Sequence, residues 1–390
     1  MSLVSGQFSE SFPPIMDGVG NVAKNYAYWL NKKHGICYAI TPGFPRHIDK
    51  EEYEVLRYTS IGVLTRPPYR TGVPKLDGIF MKKIRSVPFD VVHAHTPFSS
   101  GHIALQTARK KDIPIVASFH SKYYDDFKES LKIDGLARYG VSRIVDFYNS
   151  VDSVWTVNHA TAETLREYGY KGAIEIVPNG TEYEAVENKE LECQKVNQKL
   201  NLAKDELVFI YVGQMVWQKN TRCLMEALAF VKQKGLNYKM LMVGQGYALE
   251  DLKELSREFG LTDRVMFLGA IYDRDYLKSL YCRANLLLFP SLYDNASIVL
   301  REAASQSCPS LLIEGSNTAE GVTDGFNGFL SKDGGDNIAS RIMEVAKYPE
   351  KLIEVGENAK KTIFTSWETI VDEVYGRYKE IVEAHKKIYV

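Results

Sequence analysis

The sequence predicts two doubly wound α/β domains, each built on an open parallel sheet. Three observations point there. Short apolar runs alternate with helical patterns along most of the 390 residues. The C-terminal ends of the apolar runs carry polar residues or glycine, and open parallel sheets bind their ligands at those ends. The alternation pauses once, over the charged, helix-prone residues 181–203, and then restarts. A chain of this length accommodates two domains comfortably. The expected division is 1–185, 186–365 and a tail, 366–390, most of which reads as one amphipathic helix (367–389).

In the first domain, residues 3–6 read as a short strand. A loop rich in Pro and Gly follows (8–20), then a helix over 21–33. Gly18 and Gly20 permit close backbone approach to a ligand, and an ordinary strand-to-helix turn accounts for them equally well. Residues 36–41 read as a strand, 49–69 as a hairpin-like excursion and 75–85 as a helix. That helix carries Lys75, Lys82, Lys83 and Arg85. Such a run is usually a solvated face, with a membrane-surface or acidic-acceptor patch as the alternative. Strands at 89–95, 113–120, 151–158 and 174–180 end in His95, His120, Asn158 and Asn179. Helices are expected at 101–110, 125–149 and 159–168. Any one of the four tip residues suits a structural hydrogen bond; four at equivalent tips suggest a cleft.

The second series has strands at 207–212, 239–243, 265–268, 285–289 and 310–313. Helices are expected at 221–234, 248–259, 275–281, 298–307 and 336–346. Its first tip holds Gly213, Gln214 and Lys219, and Lys219 could reach a phosphate as a point charge. A second tip holds Gly246 without full dinucleotide spacing, so a Rossmann cofactor is poorly supported. A third leads through Gly269 to Ile271. The fourth, residues 290–303, takes a buried strand through a polar turn into a helix. Amides at such a helix end can hold a phosphate. Asp294 and Glu302 bracket it, with Glu302 roughly 6 Å deeper than Ile298 at 1.5 Å per residue. A plain joint with two solvated acids explains the same residues.

Composition narrows the function. The apolar fraction of 45% excludes disorder as the main state. A net charge of −1 gives no global field favouring nucleic acid. Five scattered cysteines without Cys-x-x-Cys spacing read as reduced thiols, neither a disulfide frame nor a zinc site. Asp125 and Asp126 are adjacent on a helix and point apart, so a metal site is not expected. No apolar stretch approaches the length of a spanning helix, and the N-terminus lacks a signal-peptide pattern. A cytoplasmic location is expected, with contact at the membrane periphery.

Taken in order, the motifs resemble the family 4 glycosyltransferases, retaining enzymes of the GT-B fold. They are Pro-Pro-Ile-Met-Asp-Gly-Val (13–19), Asp-Val-Val-His-Ala-His (90–95), Val-Ala-Ser-Phe-His (116–120), Val-Pro-Asn-Gly (177–180), Val-Gly-Gln with Lys-Asn (212–220), Val-Gly-Gln-Gly (243–246), Phe-Leu-Gly (267–269), the paired acids of 290–303, Glu-Gly-Val-Thr-Asp-Gly-Phe-Asn-Gly (320–328) and Ser-Trp-Glu (366–368). The N-terminal half is similar to lipid-modifying glucosyl- and mannosyltransferases. The resemblance implies a UDP- or GDP-linked sugar donor in the second domain and a lipid or saccharide acceptor entering from the first. Glu302 would bind the ribose, amides of Ser297, Ile298 and Val299 the diphosphate, and backbone near Ile271 the base. Gly213 and Gly246 belong to the same donor site. Lys219 and Gln214 would stabilise the leaving phosphate, His120 and Asp294 would hold the sugar, and the Gly18–Gly20 loop would close over the diphosphate. His95, Tyr123 and Tyr124 are candidates on the acceptor side. No cofactor or metal is implied, and the tail helix would pack back on the first domain.

Two departures bear on turnover. Asp294 stands where the family usually has Glu, one methylene longer. Gln214 stands where it usually has Arg, losing a charge-assisted bidentate contact; a donor missing from such a site can cost about 3 kcal/mol. Two other roles therefore remain open: a catalytically weak GT-B member acting as a partner subunit, or a GT-B epimerase or phosphorylase.

Overall fold

Runs such as Val208–Val212 and Leu286–Phe289 are buried at every residue, as strands covered on both faces require. The computed structural model describes residues 2–15, 17–64 and 66–388. Met16 in the 8–20 loop, Thr65 in the 49–69 excursion and the end of the expected tail helix at Tyr389 lie outside the described residues. Contacts divide the chain into one unit of Met1–Asn179 with Trp367–Val390 and another of Gly180–Ser366. The divisions fall at 179/180 and 366/367, against 185/186 and 365/366 expected from the sequence.

The first unit runs β1 (Val4–Phe8), α1 (Gly18–Lys33), β2 (Ile36–Pro42), β3 (Val55–Tyr58), β4 (Ser60–Gly62), β5 (Arg70–Gly72), α2 (Gly78–Ser86), β6 (Val91–Ala94), α3 (Ser99–Lys111), β7 (Ile115–Phe119), α4 (Tyr123–Leu131), α5 (Asp134–Tyr148), β8 (Ser153–Thr156), α6 (His159–Glu167) and β9 (Glu175–Ile176). Its seven-stranded sheet has the order β3-β2-β1-β6-β7-β8-β9 with every pairing parallel. The second unit runs α7 (Lys189–Leu200), β10 (Val208–Val212), α8 (Thr221–Gln233), β11 (Lys239–Val243), α9 (Leu249–Glu258), β12 (Val265–Gly269), α10 (Arg274–Arg283), β13 (Leu286–Phe289), α11 (Ile298–Ser305), β14 (Ser310–Ile313), β15 (Phe329–Ser331), α12 (Gly335–Val345) and α13 (Pro349–Thr362). Its six-stranded sheet has the order β12-β11-β10-β13-β14-β15, also parallel throughout.

The tail, α14 (Trp367–Ile388), belongs to the first unit and packs on α1. Trp367, Ile370, Val371, Val374, Tyr378 and Val382 form its buried stripe at helical spacing. Lys33 Nζ lies 2.9 Å from both Glu368 and Asp372 at its edge.

Four local differences from the sequence reading have identifiable causes. α1 starts at Gly18 rather than 21, because the Asp17 carboxylate caps it by accepting from Gly20 N–H at 2.7 Å. The single helix expected over 125–149 is two, broken where Lys132 turns left-handed with φ 55°. The excursion over 49–69 contributes β3 to the main sheet in parallel with β2; the hairpin is β4–β5. Residues 181–203 hold α7, part of the second unit, where Ser279 Oγ of α10 donates to Glu192 of α7 at 2.6 Å. The three-residue β15 and the helix α13 had no counterpart in the sequence reading.

Candidate functional site

Strand order in the second unit reverses between β10 and β13, so the loops leaving these neighbours diverge and open a crevice at the strand C-termini. Three adjacent tips are stitched together there. Gly213 N–H donates to Val243 O at 3.0 Å, Gly244 N–H to Gly269 O at 2.8 Å and Met215 N–H to Gln245 O at 3.1 Å. A Cβ on Gly244 would sit 1.9 Å from Gly213 O, and one on Gly246 2.3 Å from Met215 O. Gly244 and Gly246 are therefore required by tip-to-tip packing itself.

A short turn, Trp217–Lys219, brings Lys219 across from the loop after β13. Its Nζ lies 2.9 Å from Asp294 Oδ1, and the two side chains are only 12% and 19% exposed. The other Asp294 oxygen accepts from Ser291 Oγ at 2.6 Å, and its backbone carbonyl accepts from Thr318 Oγ1 at 3.0 Å. The sequence reading gave Lys219 to the phosphate and Asp294 to the sugar; here they hold each other. Gln214 is exposed, and its backbone carbonyl accepts from Tyr211 OH at 2.8 Å. Ser297 is the N-cap of α11 in extended geometry, but its side chain makes no cap bond. The first-turn amides at Ile298 and Val299 thus receive no acceptor from Ser297, and the positive end of α11 follows directly on the loop whose Asp294 pairs with Lys219. Ile271 lies half-buried against the core after β12.

Glu302 is only 4% exposed. Its Oε1 lies 2.8 Å from Arg274 Nη2, and its Oε2 accepts from Tyr281 OH at 2.9 Å. Arg274 also reaches Glu182 at 2.6 Å and lies 4.4 Å from the Tyr183 ring centroid. Burial is the largest single influence and opposes the Arg274 charge, but Glu302, Tyr183 and Glu182 together outweigh it and hold the guanidinium above its usual range. Burial, reinforced by Glu302, raises the Tyr281 phenol well above its ordinary value. Nearby, burial pushes Arg301 down to about 10. Arg274 and Tyr281 were missed from the sequence, although they lie seven residues apart on one helix (274 to 281), which places them on one face.

In the first unit the order reverses between β1 and β6. His95, at the end of β6, is fully buried; its ring stacks on His93 at 4.3 Å and on His120 at 5.6 Å between centroids. Desolvation lowers His93 and His95 well below the usual imidazole range and His120 to about 4. Glu10, just past β1, accepts from Ser99 Oγ at 2.6 Å, Ser100 N–H at 2.7 Å and Thr96 Oγ1, and burial raises its pKa despite these bonds. It thereby occupies the N-terminus of α3 with protein's own charge.

Three sequence expectations in this unit change. Gly18 and Gly20 are helical rather than in a loop, and their helix end is already capped by Asp17, which also accepts from Tyr69 OH at 2.8 Å. His95 is closed off within the imidazole stack. Tyr123 is 4% exposed and packs among Phe98, Phe119 and Phe127, so it supports the core rather than an acceptor; Tyr124 stays partly open, with its hydroxyl on Asp134. Asn158 caps α6 by accepting from Thr161 N–H at 2.9 Å.

Two doubly wound parallel sheets, ligand-type chemistry at the second unit's switch point and a tail helix returned to the first unit define a GT-B glycosyltransferase. The comparisons agree. Residues 193–362 match the family described as Glycosyl transferases group 1, and residues 16–185 match Glycosyltransferase Family 4. The chain is 24% identical to the alpha-monoglucosyldiacylglycerol synthase of Acholeplasma laidlawii, over 98% of each chain. It resembles the crystal structure of HepE from Anabaena with UDP and glucose at TM-score 0.78 and 17% identity, covering 97% of this chain and 100% of that one. It resembles sucrose-phosphate synthase from Thermosynechococcus elongatus at TM-score 0.82 and 19% identity, covering 98% and 100%. The chain belongs to the family 4 glycosyltransferases.

Proposed function

We propose that this glycosyltransferase moves a hexose from a UDP- or GDP-linked donor to a lipid or saccharide acceptor, with retention at the anomeric carbon and without a bound metal. The observation that carries the donor half is the pairing of Lys219 with the uncapped end of α11 at one switch point. Together they supply a cation and oriented amides where a diphosphate gains charge as it leaves. Asp294 holds Lys219 in place until the diphosphate arrives, and the ammonium has donors enough for both. Glu302 keeps lone pairs for a ribose hydroxyl while Arg274 and Tyr281 fix its rotamer. His120 is the first unit's residue for the donor sugar.

The acceptor reading rests on surface chemistry. Ile61, Leu64, Val73, Leu76 and Ile79 project from the β4–β5 hairpin and the approach to α2, with Leu64 97% exposed. Lys75, Lys82, Lys83 and Arg85 accompany them on the surface. An apolar ridge edged with cations suits a membrane surface bearing anionic lipid. The relative from Acholeplasma laidlawii, a diacylglycerol-modifying enzyme by its name, supports a lipid acceptor. No helix among the described residues is long and apolar enough to cross a membrane, so contact would be peripheral.

A thermal-shift screen of UDP- and GDP-hexoses, followed by transfer to diacylglycerol in vesicles, tests the reading, since a bound donor raises stability by mass action. Product with the donor's anomeric configuration, formed equally in chelator, is the expected result. No thermal shift with any donor would sink it. Tight nucleotide binding without hydrolysis or transfer would favour the partner-subunit role, which the neutral Gln214 and the tethered Asp294 make the leading alternative.

A further inference from the structure

Two of the five thiols meet. Cys193 on α7 and Cys282 on α10 are 89 positions apart in the chain, yet their sulfurs lie 4.0 Å from each other. Side chains beside them hold the two helices together. Ser279 Oγ donates to Glu192 at 2.6 Å, Arg283 Nε donates to Asn197 Oδ1 at 2.5 Å, and Lys199 Nζ lies 3.3 Å from the centroid of the Tyr276 ring. Backbone takes part as well: Cys193 Sγ donates to Cys282 O at 3.5 Å, and Cys282 Sγ to Lys189 O at 3.8 Å.

The two sulfurs have unlike surroundings. Cys282 is 2% exposed, whereas Cys193 is partly exposed. Arg283, itself buried, gives its remaining hydrogen bonds to the neutral oxygens of Asn285 Oδ1, Ala203 O and Glu206 O, so no carboxylate cancels its charge at close range. The hydrogen bond from Cys282, helped by Lys189 and Arg283, brings Cys193 down to about 7 against burial and Glu192. Burial instead raises Cys37 and Cys308 to about 12, and it raises Cys223 too. An accessible thiolate beside a protected thiol suits a pair in which the first sulfur is oxidised and the second resolves it.

We propose that Cys193 and Cys282 form an oxidisable dithiol, which a hydroperoxide converts to a disulfide between α7 and α10, and that this bond weakens nucleotide binding by moving the helix that holds Glu302. The Cys193 thiolate attacks the peroxide: an S–O bond forms, the O–O bond breaks, and the hydroxide that leaves recovers the proton Cys193 gave up. Cys282 then attacks Cys193 Sγ: the S–S bond forms, the S–O bond breaks, and the departing hydroxide takes the Cys282 proton. With hydrogen peroxide the sum is two thiols oxidised to one disulfide and the peroxide reduced to two waters. Closing 4.0 Å to a disulfide bond needs a movement of roughly 2 Å. Tyr281, next to Cys282, and Arg274 on the same helix hold Glu302 at 2.9 and 2.8 Å, and hydrogen bonds do not survive a shift of that size. This coupling rests on the assignment of Glu302 to the nucleotide ribose.

Peptide mapping by mass tests the dithiol. The full chain, reduced and then exposed to hydrogen peroxide at pH 7, is denatured and alkylated. One cross-linked pair of peptides, joined through Cys193 and Cys282 and reversed by dithiothreitol, is expected, with Cys37, Cys223 and Cys308 still alkylated. Cys193 left unmodified, or oxidised to the sulfinic acid while Cys282 stays alkylated, overturns the proposal. Cys282→Ala should stop at a sulfenic acid on Cys193, trapped by dimedone; the wild-type map decides alone if that variant does not fold. Calorimetry with UDP and GDP should show affinity falling about tenfold on oxidation, the value of roughly one hydrogen bond. Cys193→Ser should bind as the reduced wild type does, with or without peroxide. Equal affinity in oxidised and reduced wild type, with Glu302→Ala binding weakly, overturns the coupling. If Glu302→Ala binds as tightly as the wild type, the ribose assignment falls, and the cross-link still decides the dithiol.

Discussion

The two units solve the same topological problem with opposite chemistry. Each sheet reverses its strand order once, β1 against β6 in the first and β10 against β13 in the second. Each is pinned at the opposite end in one way: the Asp90 and Asp152 carboxylates accept from Val4 and Ile115 N–H at 2.8 Å, and Asn285 accepts from Val208 N–H at 2.9 Å. At the functional end they part. The second unit presents glycines, one lysine and a helix terminus with no side-chain cap. The first fills its crevice with buried imidazoles and with Glu10, which covers the α3 terminus. An uncapped helix end invites an anion; a covered one does not. The comparison teaches that two sheets with the same switch-point topology can offer opposite surroundings, one with a helix terminus its N-cap leaves open and one whose helix terminus is covered by an acid; under the proposed function the diphosphate falls to the second unit.

The sharpest way to break this contrast is Lys219→Ala. Loss of the Lys219 ammonium is expected to lower kcat by about 100- to 1,000-fold, with a smaller change in nucleotide affinity; steady-state kinetics beside calorimetry would show it, and an unchanged kcat would remove Lys219 from the leaving-group role. Acid should separate the units next. All eight histidines lie in the first unit's segments, at 34, 47, 93, 95, 102, 120, 159 and 385. The folded pKa values of His93, His95 and His120 lie below the unfolded value, so between about 6.5 and 4 the unfolded chain binds protons that the folded unit refuses. Stability is therefore lost as pH falls through that window. At His120 the loss is about 2 kcal/mol or less, given its partial exposure. Glu10, with a raised pKa, works in the opposite sense but is one group against three. Hydrogen exchange resolved by segment at pH 7 and 4.5 should show the first unit loosening while the second holds.

A smaller effect tests the buried carboxylate of Glu302. Glu302→Ala strands Arg274 and Tyr281 and is expected to cost about 2 kcal/mol in urea unfolding, less than a fully buried pair because Arg274 is a third exposed. Glu302→Gln keeps an acceptor for Tyr281 and should separate stability from nucleotide affinity; unchanged affinity in both would end the ribose assignment. The mildest expected effect is from Gln214→Arg, which should preserve kcat or raise it by up to about tenfold. Complete loss of turnover would argue that Gln214 lies away from the diphosphate.

Much of this was legible before any coordinates. The alternation of apolar and helical runs located most of both sheets, because strands buried on two faces are nearly all apolar. Strand tips with glycine, lysine and histidine marked the candidate ligand-binding ends of the sheets, whereas the switch points followed only from the observed strand orders. Less regular pieces escaped for physical reasons. A three-residue strand such as β15 has no period to detect. The break at Lys132 depends on one backbone torsion that lysine does not advertise. His95 read as ligand-facing because it ends a strand, and Tyr123 read as an acceptor-side candidate; only packing shows that both are enclosed.

The order of elements, the position of each tip and the family were determined by the sequence itself, because these follow from local periodicity and motif spacing. Tertiary structure alone decided the partnerships: Lys219 with Asp294, Glu302 with Arg274 and Tyr281, and Gln7 with His95 and Tyr378. The last joins residues 371 positions apart. Such pairs are fixed by which side chains meet after the sheets close, where burial makes an unpaired polar group costly.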